Sequence, residues 1–250
     1  MSRIVALTCR SEYRYVLDIL KRIIKDVEII ENINTLDDIQ DIEMLLNFDC
    51  KLNYEKLFKL NTNFKIINIC SIIDRNTIEK NLISSSTLIY IQPIVGTIRV
   101  IKSRIKSLFD TINAIKIMVK CDVLDDNTLL CEDNSTNKNL SSIKNSLKDL
   151  DTGKIDITCI NGNSIIKIMA EGMQFNKKKK ISYNIIYKND INHFIAIEIY
   201  SCIKLIIDRV VGNGILMPED IGRDEGTFAY YISNLIADQL KIRIIYKEKR

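Results

Sequence analysis

Glycine and proline are scarce in this chain of 250 residues, at 8 and 2. That scarcity excludes a disordered or loop-dominated chain. Histidine occurs once, as His193. A lone His with no Cys/His cluster beside it is a poor metal ligand or acid–base group, so His193 is expected to be structural, at the start of a strand. No G-x-S-x-G elbow accompanies it. The 7 cysteines include no C-x-x-C pair. Their number is odd, and most lie in apolar runs, as Cys70 does. A disulfide framework is not expected, and a reducing compartment suits them better. No N-terminal segment pairs a charged start with an apolar run and a small-residue cleavage site. No stretch reaches the ~18 uncharged apolar residues of a membrane span. The expected location is the cytoplasm, with no membrane partner.

Phosphate-cradling loops are lacking too. Gly212-Asn213-Gly214 has no third glycine and follows no clear strand–helix turn, so it is not a dinucleotide fingerprint. No G-x-x-x-x-G-K-[ST] occurs. A Rossmann-type methyltransferase or a P-loop enzyme would need one of these. The acidic cluster Glu219, Asp220, Asp224 and Glu225 lacks the alternating oxygen spacing of a calcium loop and reads as a solvated loop. These absences assign no catalytic residue, no metal ligand and no cofactor. They point to a binding protein rather than an enzyme.

What is present is ordinary for a globular protein: 46% hydrophobic and 27% charged residues. The length suits one large or two small domains. The net charge of +4 and pI near 8.5 permit an anionic partner without demanding one.

Hydrophobic patterning gives an element order. Residues 3–8 read as a strand, 12–25 as a helix capped by Ser11, and 27–33 and 42–48 as strands. Residues 53–60 read as a short helix and 64–73 as a strand. That strand, helix, strand, strand, helix, strand order is the split βαβ, ferredoxin-like unit, with helices on one face of an antiparallel sheet. Beyond it, 74–86 reads as a short helix and connection, 88–95 as a strand, 97–113 as a helix and 115–123 as a strand. Residues 125–139 read as an exposed loop and 141–150 as a helix. Then come a strand at 154–160, a helix at 165–172 ending on Gly172, and a strand at 181–188. Strands at 194–200 and 202–208, a helix at 227–240 and a strand at 241–247 complete the order.

Two basic features offer phosphate partners. On the 97–113 helix, Arg99, Lys102 and Lys106 form a stripe opposite the Ile face. The second is Lys177, Lys178, Lys179 and Lys180, with Lys188 at the far end of the next strand. Each has a plain reading as a solvated surface. Tyr183 and Tyr187 could stack on bases, although strand spacing suits them better to a core.

Three segments carry a family resemblance: IVALTCRSEYRYVLDILKRI, DIEMLLNFDCKLNYEKLFKLNTNFKIINICSIID and KIDITCINGNSIIKIMAEGMQFNKKKKISYNIIYKNDINHFIAIEIY. Together they resemble the THUMP-domain proteins of tRNA modification, in particular the stand-alone type that assists a cytidine acetyltransferase. The resemblance implies an α+β fold. A ferredoxin-like part over residues 1–86 would be followed by a THUMP-like α/β part over 87–250. It implies an adaptor that binds tRNA or another structured RNA through the basic residues above and works beside an RNA acetyltransferase. A non-enzymatic structural or interaction protein, viral or archaeal, with no nucleic-acid role is the competing expectation. A ring-forming clamp subunit ranks last, because no internal repeat is present.

Overall fold

Short β-branched runs, each only four residues long, build the first sheet: β1 (Ile4–Leu7), β2 (Val27–Ile30), β3 (Met44–Asn47), β4 (Lys65–Asn68) and β5 (Thr87–Tyr90). The computed structural model describes residues 4–8, 13–24, 27–30, 42–48, 65–69, 86–121, 154–159, 164–187, 191–236 and 242–249. The short helices expected at 53–60, 74–86 and 141–150, the loop at 125–139 and Lys188 lie outside these residues.

A sixth strand, β10 (Gly214–Leu216), joins the first sheet, whose order is β10-β5-β4-β3-β1-β2. Every pairing in it is parallel. This overturns the antiparallel, ferredoxin-like expectation. The connections between the first five strands run over residues 8–26, 31–43, 48–64 and 69–86. Each exceeds the dozen or so residues that a parallel crossover needs. β1, β3 and β5 are buried at every position, as strands covered on both faces are. The sheet also draws on residues from both sides of position 86.

The second sheet contains β6 (Thr111–Cys121), β7 (Lys154–Cys159), β8 (Ser164–Gln174), β9 (Lys177–Tyr187) and β11 (Ile242–Lys249). Its order is β11-β9-β8-β6-β7, antiparallel except for the β6–β7 pair. The helix expected at 165–172 is therefore a strand, with Ile166, Ile168 and Ala170 turned into the core. β8 and β9 meet at Phe175 and Asn176, both at positive φ (50° and 60°), which suits a two-residue hairpin loop.

Five helices are described: α1 (Arg14–Ile23), α2 (Val95–Lys106), α3 (Ile191–Ile207), α4 (Pro218–Arg223) and α5 (Glu225–Leu235). The two strands expected at 194–200 and 202–208 are one helix, α3. It packs against α1, α5 and β4, and 12 of its 17 residues are buried. A helix covered nearly all round has no polar stripe to mark its period. α2 stops at Lys106 rather than 113, because β6 takes over at Thr111. One continuous core joins the two sheets through α2, α3 and α5. Among the described residues, no helix is long and apolar enough to cross a membrane.

Candidate functional site at the carboxyl edge of the parallel sheet

Open parallel sheets bind ligands outside the carboxyl ends of their strands, where the strand order reverses. Here that point is β1, which pairs with β2 on one side and β3 on the other. The strands end there in polar residues: Thr8 follows β1, Asn47 ends β3, Asn68 ends β4, and Gln92 lies two residues past β5. All four are buried. Asn47 Nδ2 donates to Asn68 Oδ1 at 2.8 Å. Asn68 Nδ2 has no hydrogen-bond partner among the described residues. A buried amide donor left unmatched costs about 1–3 kcal/mol, so an acceptor brought by a ligand would be favoured at this spot. Beside it, α1 begins with no acidic residue in its first turn and no side-chain cap at Tyr13. The Tyr13 ring packs on Phe48 with centroids 4.7 Å apart, tying the start of α1 to the end of β3.

The other side of the edge is closed by a carboxylate. Glu198 of α3 is 1% exposed. Its Oε2 accepts the Ile94 N–H at 2.9 Å, and its Oε1 accepts the Thr97 N–H at 2.9 Å and the Thr97 hydroxyl at 2.6 Å. Thr97 Oγ1 also meets the Tyr231 hydroxyl of α5 at 2.7 Å. Glu198 therefore caps α2 from a different helix. Burial pushes its carboxyl up to about 7, against the opposing pull of the Thr97 and Ile94 hydrogen bonds. Burial, and then the Glu198 charge, push the Cys202 thiol and the Tyr231 hydroxyl up as well.

The turn that Glu198 holds is strained. Ile94 sits at φ 66°, ψ −54°, a conformation that a β-branched residue rarely adopts. Such strain costs on the order of 1–3 kcal/mol and persists where the surroundings over-determine it. A Cβ on Gly96 would come within 2.4 Å of Ile91 Cγ1, so only glycine lets α2 start this close to the end of β5.

The described basic residues singled out in the sequence lie on α2 and β9. Arg99 lies 3.8 Å from Glu219, and Lys102 is 5% exposed on the same helix. Lys106 is exposed at the end of α2. Lys177 and Lys178 are exposed at the start of β9. Lys179 points inward, bonded to Gln174 at 2.6 Å, 3.6 Å from Glu248 and over the Phe109 ring. Lys180 pairs with Glu171 at 2.7 Å. The four-lysine run is the head of a strand that alternates in and out. Tyr183 and Tyr187 are core residues, and Tyr187 stacks on Phe194. His193 lies in the first turn of α3, not in a strand.

The acidic cluster starts helices. Asp220 Oδ2 accepts the Met217 N–H, and Asp224 Oδ1 accepts the Thr227 N–H. Glu225 pairs with Arg104 at 3.1 Å. Among the described residues, no group of three or more His, Cys, Asp or Glu could hold a metal.

Asn47, Asn68 and Glu198 were not singled out from the sequence. Glu198 did leave a signal there, as the one charge within the apolar run from Phe194 to Cys202. A charge in such a run is costly without dedicated partners.

No protein-family model matches the chain. No curated protein sequence matches it. Solved structures do. Dihydrodipicolinate reductase from Paenisporosarcina sp. TG-14, with dipicolinate bound, superposes with TM-score 0.51 at 10% identity, covering 88% of this chain and 100% of that one. An oxidoreductase from Agrobacterium radiobacter, in complex with NAD+, L-tartaric acid and magnesium, gives TM-score 0.48 at 7% identity, over 98% of both chains.

The first likeness and the parallel sheet place the chain in a Rossmann-like α/β fold. They overturn the ferredoxin-like and THUMP assignments. The tRNA-binding adaptor and the acetyltransferase partnership, which rested on that resemblance, fall with them. The expectation of a non-enzyme is corrected on the same finding, since the fold is shared with a reductase. That expectation rested in part on a missing glycine fingerprint, and this sheet forms without one.

Proposed function

We propose that the chain is a nicotinamide-dinucleotide-dependent oxidoreductase whose ligand crosses the carboxyl edge of the parallel sheet. The observation that carries this reading is the buried polar row Thr8, Asn47, Asn68 and Gln92 at the reversal of strand order, with the unmatched Asn68 Nδ2 in it. The groups present suit such a ligand. The first turn of α1, which holds no acidic residue, suits a pyrophosphate. The Asn68 amide suits an acceptor oxygen.

One departure shapes how the phosphates would be met. The first glycine of the chain is Gly96, so the turn after β1 carries side chains where the dinucleotide fingerprint has glycines. The phosphates would stand off from that backbone and be held less tightly. When bound, a nicotinamide supplies the hydride donor or acceptor. The chain's own part is to orient the ligand through Asn68, held by Asn47, and to keep water from the edge by the apolar core beneath.

Titration with NADH and with NADPH, followed by nucleotide fluorescence, tests the reading. Saturable binding of at least one is expected. Asn68→Ala should weaken it roughly tenfold, the loss of one hydrogen bond to the ligand. Folded protein that binds neither nucleotide would overturn it.

A further inference from the structure

Every amide at the start of α2 already has an acceptor within the chain. The Ile94 and Thr97 N–H groups donate to Glu198. The Val95, Gly96 and Ile98 N–H groups donate to the Pro93, Gln92 and Ile94 carbonyls. Among the described residues, α1 and α2 begin at the carboxyl edge with different first turns. α1 starts without an acid or a side-chain cap, and α2 starts on a buried carboxylate. In a dinucleotide site of this topology, the pyrophosphate lies at the first helix and one nucleoside half runs toward β2. The other half runs toward β3, β4 and β5, where Glu198 stands behind the turn that ends β5.

We propose that Glu198 is a specificity-determining residue of this edge, favouring a cationic ring over a neutral or anionic group at the end of β5. The inference rests on the dinucleotide reading above. In that setting the favoured species is the oxidised, positively charged nicotinamide. The reduced ring is neutral and feels little of the carboxylate. An anionic substrate group is turned away from this end, because the helix start that would receive it is occupied.

The Glu198 charge is met by the Ile94 and Thr97 hydrogen bonds rather than by a cation among the described residues. Cys202 on α3 and Tyr231 on α5 are the titratable neighbours that feel it, and both are pushed toward their neutral forms. On α1, which packs against α3, the charged residues Arg14, Asp18, Lys21 and Arg22 are exposed. On α2, Arg99 and Arg104 are held by Glu219 and Glu225; Lys102 and Lys106 lie beyond the first turn. The carboxyl stands near 7, so the selectivity is switched within the neutral range. Below it the acid is neutral and the preference is lost; above it the charge is present.

The test compares NAD+ and NADH affinities of the whole chain between pH 6 and pH 8 by calorimetry. Comparing the two nucleotides cancels the contributions of the adenosine, pyrophosphate and ribose parts that they share. Preference for NAD+ over NADH should rise roughly tenfold across that range, as expected for unit charges on the order of 10 Å apart at an effective dielectric constant near 20. Glu198→Gln should flatten the profile. Thr97→Val keeps the carboxylate but removes a hydrogen bond to its charged form, so the midpoint should move to higher pH. That shift decides the matter even where the Gln variant fails to fold. A pH-independent ratio in the wild type, with both nucleotides binding, would overturn this proposal and leave the dinucleotide reading standing. Binding of neither would overturn both.

Discussion

Glu198 makes stability depend on pH in the direction opposite to that of a salt-bridged carboxylate, and replacing it by Gln removes that dependence. The Glu198 carboxyl rises from 4.5 to about 7 on folding, because burial outweighs three hydrogen bonds. Between those values the folded chain holds a proton that the unfolded chain has released. Stability from this group is therefore greatest below about 4.5 and declines as pH rises toward 7. At about 1.36 kcal/mol per unit, the whole change is roughly 3 kcal/mol. The Gln side chain has no proton to lose.

The stability of Glu198→Gln relative to wild type should thus improve by roughly 2–3 kcal/mol between pH 5 and pH 8. Urea unfolding of both proteins at the two values measures it, with equal m-values as the check on a common unfolded state. Every other carboxyl group is present in both proteins and cancels. A difference constant to within about 0.5 kcal/mol would refute the reasoning. It would mean that the three donors hold Glu198 ionised throughout and that burial is the lesser effect.

Gly96→Ala should cost about 1–3 kcal/mol by overpacking, because its Cβ would stand 2.4 Å from Ile91 Cγ1. Ile91→Ala in the same chain should recover part of that loss, as read from urea midpoints. Tyr231→Phe removes one hydroxyl from the buried network and leaves the Thr97–Glu198 bonds intact. A loss of about 1 kcal/mol is expected, with the thermal midpoint as readout.

The position of α1 was legible because one of its faces meets water: Val16, Leu17, Ile19 and Leu20 are buried while Arg14, Tyr15, Asp18 and Lys21 are exposed. The reading failed at α3, which is covered nearly all round, and at β8. In α3 the run from Phe194 to Cys202 offers no polar stripe, so its β-branched residues suggested strands. In β8 the alternation Ile166, Lys167, Ile168, Met169, Ala170 was present in the sequence. It was outweighed by Gly172, which resembled a helix end. In the structure Gly172 lies instead where a Cβ would strike the Thr111 carbonyl at 2.1 Å.

Strand direction was the larger error. Nothing within a four-residue apolar run says which way its neighbour points, and only the length of the connections carries that information. The site was harder still. Asn47 and Asn68 stand 21 positions apart and become a pair only through the β3–β4 register.

The insertion of four strands of the second sheet, β6 to β9, between β5 and β10 governs how the chain can be made. Ser86 and Thr87 receive their partners from Gly214 and Gly212, more than a hundred positions later. During synthesis the first five strands emerge early, while the flank of β5, with Leu88 and Ile89, waits uncovered. An open apolar strand edge is a template for pairing with other chains. The interval until β10 arrives is therefore the stage at which the nascent chain is most exposed to misassembly, and where a holding chaperone would act.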